Sequence, residues 1–198
     1  MTENKLQERS YYSAVGEEEY KKYCLSQIKR HSRKADKKRT AGEYLYCFAN
    51  IENLLCKNFR MLCLGTRNNH EKHVFQNVSS GLNGEVYSQD LASGSHADYI
   101  GDFNVLSEFV PHDWDVVYSN AIDHALDAKA VFFEWLKVVK QGGIMVLGFS
   151  FDDDISAIDC NSFTYNGVDD FMMHKSELFE YIRSFKAIDY YYWVVRKK

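Results

Sequence analysis

Apolar positions in this chain change their period from one stretch to the next. Tyr20, Cys24 and Ile28 recur every four residues behind the acidic opening Glu17-Glu18-Glu19, which suits a helix N-terminus. A second helix is expected from 41 to about 57, with Tyr44, Cys47, Phe48, Ile51 and Leu55 on one face. The run 61–64 is different: it is continuously apolar, is closed by Gly65, and passes through polar residues into a short helical pattern. That is the form of a buried parallel strand, a tight turn and a helix. Further strands are read at 86–91, before Gly101-Asp102-Phe103, at 114–119 and at 144–149, the last continuously apolar as a central parallel strand should be. A short helix is expected over 105–110, stopped by Pro111. A longer one is expected over 126–140, with Phe132, Trp135, Leu136 and Val139 inward and Gly142-Gly143 as its stop. Residues 175–185 read as the last helix, with Leu178, Tyr181, Ile182 and Phe185 inward, and 187–195 as a β-rich terminal strand.

In an open α/β sheet the ligand crevice lies at the carboxyl ends of the strands. The residues at those ends are Leu64-Gly65-Thr66-Arg67-Asn68, then Asp90, then Gly101-Asp102-Phe103, then Asp115-Val116-Val117-Tyr118-Ser119-Asn120, followed by Gln141-Gly142-Gly143. In this order and spacing they resemble the class I S-adenosylmethionine (SAM) dependent methyltransferase family over about 59–150, and more weakly to the C-terminus. The resemblance implies an α/β fold: a Rossmann-like three-layer sandwich with a mostly parallel sheet, an antiparallel terminal strand, and N-terminal helices packed alongside. It divides the chain into a helical extension or cap, 1–57, and a methyltransferase-like domain, 58–198. The family ends on two antiparallel strands and only one is apparent here. A trimmed sheet edge and a strand from 161–165 are both open.

The resemblance implies S-adenosyl-L-methionine as cofactor, held by Gly65, Thr66, Arg67, Asn68, Glu71, Asp90, Leu91, Asp102, Phe103, Ser119 and Asn120. Asp90 stands where the family places an acid on the ribose hydroxyls, and a carboxylate there can accept from both members of a diol. Asp102 stands where the family recognises the adenine amine, with Phe103 beside the ring. The turn after Gly65 departs from the family: Cys63 replaces the usual acid, and side-chain-rich residues replace further glycines. Arg67 and Asn68 are candidates for the methionine carboxylate and Glu71 for its amino group; a structural role in the turn is the alternative. The loop 119–124 faces the transferred methyl in the family. His124 is the candidate general base, because imidazole titrates near neutrality, and Asp123 is the candidate to orient it or hold a substrate hydroxyl. Capping of the next helix, or contact with the cofactor, is the plainer role for His124.

At 198 residues the chain suits one domain with a full core. A formal charge of -4 gives no global reason to expect nucleic acid. The basic run 29–39 is read either as a solvated face or as a cationic rim for an anionic substrate. Five cysteines without a Cys-x-x-Cys pair, and no His-x-x-x-His or His-Glu-x-x-His arrangement, make zinc and disulfides poor expectations. Asp152-Asp153-Asp154 reads as a solvated loop, and Phe163, Tyr165 and Asn166 as candidates to line the acceptor pocket. With no signal-like or membrane-length apolar run, a cytoplasmic protein is expected. The leading expectation is O-methylation of a small molecule or glycan precursor. The alternatives are a non-catalytic methyltransferase-like partner, and an RNA methyltransferase using 29–39.

Overall fold

The computed structural model describes residues 16–33, 40–125, 127–150, 177–188 and 190–198. Its centre is a seven-stranded sheet of order β3-β2-β1-β4-β5-β7-β6. The strands are β1 (Arg60–Leu64), β2 (Glu85–Asp90), β3 (Tyr99–Ile100), β4 (Trp114–Ser119), β5 (Val139–Ser150), β6 (Phe179–Lys186) and β7 (Tyr190–Lys197). All pairings from β3 to β5 are parallel, and β7 runs antiparallel to both its neighbours. The order reverses beside β1, which places its carboxyl end and that of β4 at the switch point where such sheets open a crevice.

Alternation along each strand divides the core between the two faces. Leu62, Leu64, Val117, Met145, Leu147 and Trp193 face one cluster, with Trp135 and Phe132 of α4 (Ala128–Val138). Met61, Cys63, Val116, Tyr118, Val146 and Tyr192 face the other, with α2 (Ala41–Ile51) and Phe75 of α3 (His70–Val78). Burial pushes the Cys63 thiol well above its ordinary range, so Cys63 acts as a small apolar residue. The polar thread in that second layer runs from Tyr118 to Tyr192 (3.2 Å between hydroxyls) and from Tyr192 to the buried Glu43 (3.0 Å). Asp127 caps α4, accepting from the amides of Lys129 and Ala130 at 3.0 Å each. The remaining helix, α1 (Glu17–Arg33), lies against the strand ends: its Tyr20 and Tyr23 hydroxyls donate to the Asp102 carboxylate and the His124 carbonyl.

Four expectations from the pattern are corrected. The proposed last helix is strand over its described part, because Phe179–Lys186 pairs antiparallel with β7. A register shift between Tyr181 and Arg183 moves the apolar residues from one face to the other, so their spacing imitates a helical stripe. This strand is the second terminal one; residues 161–165 lie outside the described part, as do 152–154 and 166. Gly142-Gly143 does not stop α4, which ends at Val138; both glycines lie in β5 where its register with β4 shifts, with Gly142 at φ +75°. The second helix gives way after Ile51 to a 3-10 turn, Glu52–Leu54, and residues 103–108 are 3-10 rather than α-helical.

Candidate functional site

The turn after β1 is built from left-handed residues, only one of which is glycine: Gly65 (φ 70°), Arg67 (φ 48°) and Asn69 (φ 58°). Side chains reach this geometry only when the surroundings hold them there. Here the Gly65 and Thr66 amides donate to the Gln89 carbonyl (2.9 and 3.2 Å), and the Arg67 amide to Asp90 Oδ2 (2.8 Å). Thr66 Oγ1 donates to Asn69 Oδ1 (3.1 Å), and Asn69 Nδ2 to the His96 carbonyl (2.7 Å). Asn68 Oδ1 accepts from the His70 amide at the start of α3 (3.3 Å). Gly65 itself is dictated by the close approach of the segment that follows β4: a Cβ there would meet Ala121 Cβ at 2.9 Å.

Two adjoining clefts open above these strand ends and share Gly65, Ala121 and His124. The larger, about 440 Å³, is polar and brings together Thr66, Arg67, Asn68, Glu71 and Asn120, with Tyr44 and His70 at its side. The other, about 340 Å³, is apolar; it takes Leu91, Phe103 and Asp102 from the sheet side and Tyr23 and Gln27 from α1. Phe103 is fixed from behind, since Trp135 Nε1 donates to its carbonyl (2.8 Å) and the two rings meet edge to face at 5.3 Å.

Nine of the candidates thus line the clefts together with His124, and two do not. Asp90 is fully buried, and its carboxylate accepts the amides of Arg67 and Ala92 at 2.8 Å each. Ser119 is also fully buried; its hydroxyl accepts from the Ala121 amide (3.1 Å) and lies 3.4 Å from the Leu64 carbonyl it donates to. Asp102 lines its cleft but is already engaged. Oδ1 accepts from the amide and the side chain of Asn104 (2.9 and 2.6 Å), and Oδ2 from Tyr20. Burial, then the bond to Asp102, raises the Tyr20 phenol well above its ordinary value. The side chain of Asp123 lies outside the described part.

The residues missed in the sequence are those of α1. Tyr20, Tyr23 and Gln27 follow i, i+3, i+7 and form its cleft side, whereas Ile28 of the expected apolar stripe is exposed. Gln27 is 4% exposed, and among the described residues neither its Nε2 nor its Oε1 has a hydrogen-bond partner; Asn120 Nδ2, at 7% exposure, is in the same position. The signal was a primary amide in register with two tyrosines on a helix otherwise rich in charge. Among the described residues, no cluster of His, Cys, Asp and Glu could hold a metal ion, and no helix is long and apolar enough to cross a membrane.

No protein-family model matches the chain, and no curated protein matches it in sequence. Solved structures match its fold. One belongs to the Haloferax volcanii complex between the Trm112 methyltransferase activator and a proposed methyltransferase: TM-score 0.62, 11% identity, covering 88% of this chain and 97% of that one. Another is a proposed SAM-dependent methyltransferase from Methanococcus maripaludis, with TM-score 0.60, 13% identity, and 86% and 93% covered. A third, the CurJ carbon methyltransferase, has TM-score 0.51 and 13% identity, over 74% of this chain and 50% of that one. At these identities the likeness is one of fold alone, the Rossmann-like fold that these structures share with the chain.

Proposed function

From that fold as premise, we propose that the protein transfers a methyl group from S-adenosyl-L-methionine to an oxygen of a small or carbohydrate-like acceptor. The observation that carries the reading is the pair of adjoining clefts meeting at Gly65, Ala121 and His124, one apolar and one polar. An adenosyl group is apolar and flat at one end and zwitterionic at the other, and the clefts divide the same way. Leu91 and Phe103 would hold the base and Asp102 its amine; Arg67 would hold the carboxylate and Glu71 the amino group. Gly65 keeps the backbone free of a Cβ where the two ends join. Two features restrain the fit: Asp90 would reach a sugar only by sharing oxygens already bonded to amides, and Tyr20 must yield or share Asp102.

When bound, the cofactor supplies an electrophilic methyl carbon open to in-line displacement. The chain's own part is alignment, exclusion of water and removal of a proton. His124, common to both clefts, would take the proton from an acceptor hydroxyl, and Asp123, its neighbour in sequence, is the candidate to orient it or hold a substrate hydroxyl. Asn120 Nδ2, buried and without a partner, is a donor for an acceptor oxygen. α1 would close the site from above.

Calorimetric titration with SAM tests the reading. Binding is expected, at least ten-fold weaker in Asp102→Asn, with methyl-labelled product from a panel of sugar and small-molecule alcohols lost in His124→Ala. Absence of binding would instead support a non-catalytic partner protein. That second reading is favoured by the engagement of Asp102 with Tyr20 and of Asp90 with backbone amides, and by a structural neighbour solved with a methyltransferase activator.

A further inference from the structure

We infer that Gln27, on α1, reads the purine base through both ends of its side-chain amide, so that α1 contributes base specificity to the site as well as covering it. The inference rests on the proposed function. It begins from an unusual observation: Gln27 is 4% exposed and lines the apolar cleft with Tyr23, Leu91, Phe103 and Asp102, yet among the described residues neither its Oε1 nor its Nε2 has a partner. Buried amides are nearly always satisfied, because an unmade bond leaves the cost of desolvation uncompensated. Burial of two adjacent polar atoms among apolar walls makes sense when a ligand completes them.

The ligand's edge follows from the amide. A primary amide offers an acceptor and a donor side by side in one plane, and a flat heterocycle with an amine next to a ring nitrogen meets both at once. Adenine has such an edge. The carboxylate of Asp102 can accept from the amine but offers no donor to a ring nitrogen, and the side chains of Phe103 and Leu91 offer only apolar surface. Gln27 therefore supplies a side-chain donor that Asp102, Phe103 and Leu91 do not. The i, i+3, i+7 spacing of Tyr20, Tyr23 and Gln27 fixes this side of α1 toward the strand ends, since the two tyrosines bond Asp102 and the His124 carbonyl.

The test uses the full chain, S-adenosylhomocysteine, and its analogue whose purine lacks the 6-amino group, with Gln27→Met as the near-isosteric variant. Gln27→Met is expected to weaken S-adenosylhomocysteine about ten-fold and the amine-lacking analogue by clearly less. Because it removes two unpartnered buried atoms, it is also expected to melt at the same temperature as the unaltered chain without ligand, or higher. Unchanged affinity for S-adenosylhomocysteine, equal losses for both ligands, or a lower melting temperature without ligand would each overturn the assignment. Failure of the unaltered chain to bind S-adenosylhomocysteine would overturn the proposed function, and this inference with it.

Discussion

The floor and the roof of the clefts differ in how their polar groups are satisfied. In the floor, Asp90, Ser119, Thr66 and Asn69 are buried and each is bonded to the chain's own backbone or side chains. In the roof and rear wall, Gln27 and Asn120 are just as buried and leave amide atoms without partners. The floor is a frame that holds the left-handed turn after β1 in place before anything binds. The unsatisfied amides mark where binding would complete the structure. Tyr20 belongs to both: it ties α1 to Asp102 and so occupies a carboxylate the proposed ligand would use.

The sharpest way to break this contrast is at Asp90. Asp90→Ala leaves two buried amides without an acceptor and is expected to cost about 3 kcal/mol of unfolding free energy in urea denaturation; a loss near zero would mean the floor is not a frame. Next comes a polar thread away from the clefts. Tyr192→Phe removes the hydroxyl between Tyr118 and buried Glu43 and is expected to cost about 1–2 kcal/mol, with cofactor affinity unchanged. Tyr20→Phe frees Asp102 and should tighten S-adenosylhomocysteine by about three-fold; weaker binding would show that the tyrosine assists the ligand rather than competing with it.

The smallest effect concerns Asp98, which joins Lys72 of α3 to Ser88 of β2 behind the turn. Burial alone would raise its carboxyl, but Lys72 and the amide and hydroxyl of Ser88 outweigh it and hold the folded value below the usual range. Its contribution is therefore present above the unfolded value of about 3.9 and is lost as pH falls through the lower folded value. The group is largely exposed, so Asp98→Asn should lower neutral-pH stability by about 1 kcal/mol or less. Measured from pH 7 to 2, the difference from the unaltered chain should close in acid.

In the parallel half of the sheet the core of each strand was legible from its apolar residues, continuous in β1 and in the second half of β5. β1 and β4 were found within a residue of their ends for that reason. β6 was misread because a bulge shifts its apolar residues between faces, and no window of one period can represent both sides of a bulge. Most of the cleft-lining residues were legible from their positions at strand ends. What position could not show was whether a carboxylate already had a partner: Asp90 and Asp102 look alike in sequence, yet one is sealed beneath the turn and the other faces a cleft. The role of α1 was hidden for the same reason, since Tyr20, Tyr23 and Gln27 gain their meaning from residues about a hundred positions away.

The central claim is that the strand-end clefts under α1 form one nucleoside site, and amide hydrogen exchange with and without S-adenosylhomocysteine tests it most directly. The expected result is slower exchange at 64–71, 101–104 and 119–124 together with 20–28 of α1. Ligand binding that leaves these segments unprotected, or protects the floor without α1, would contradict it.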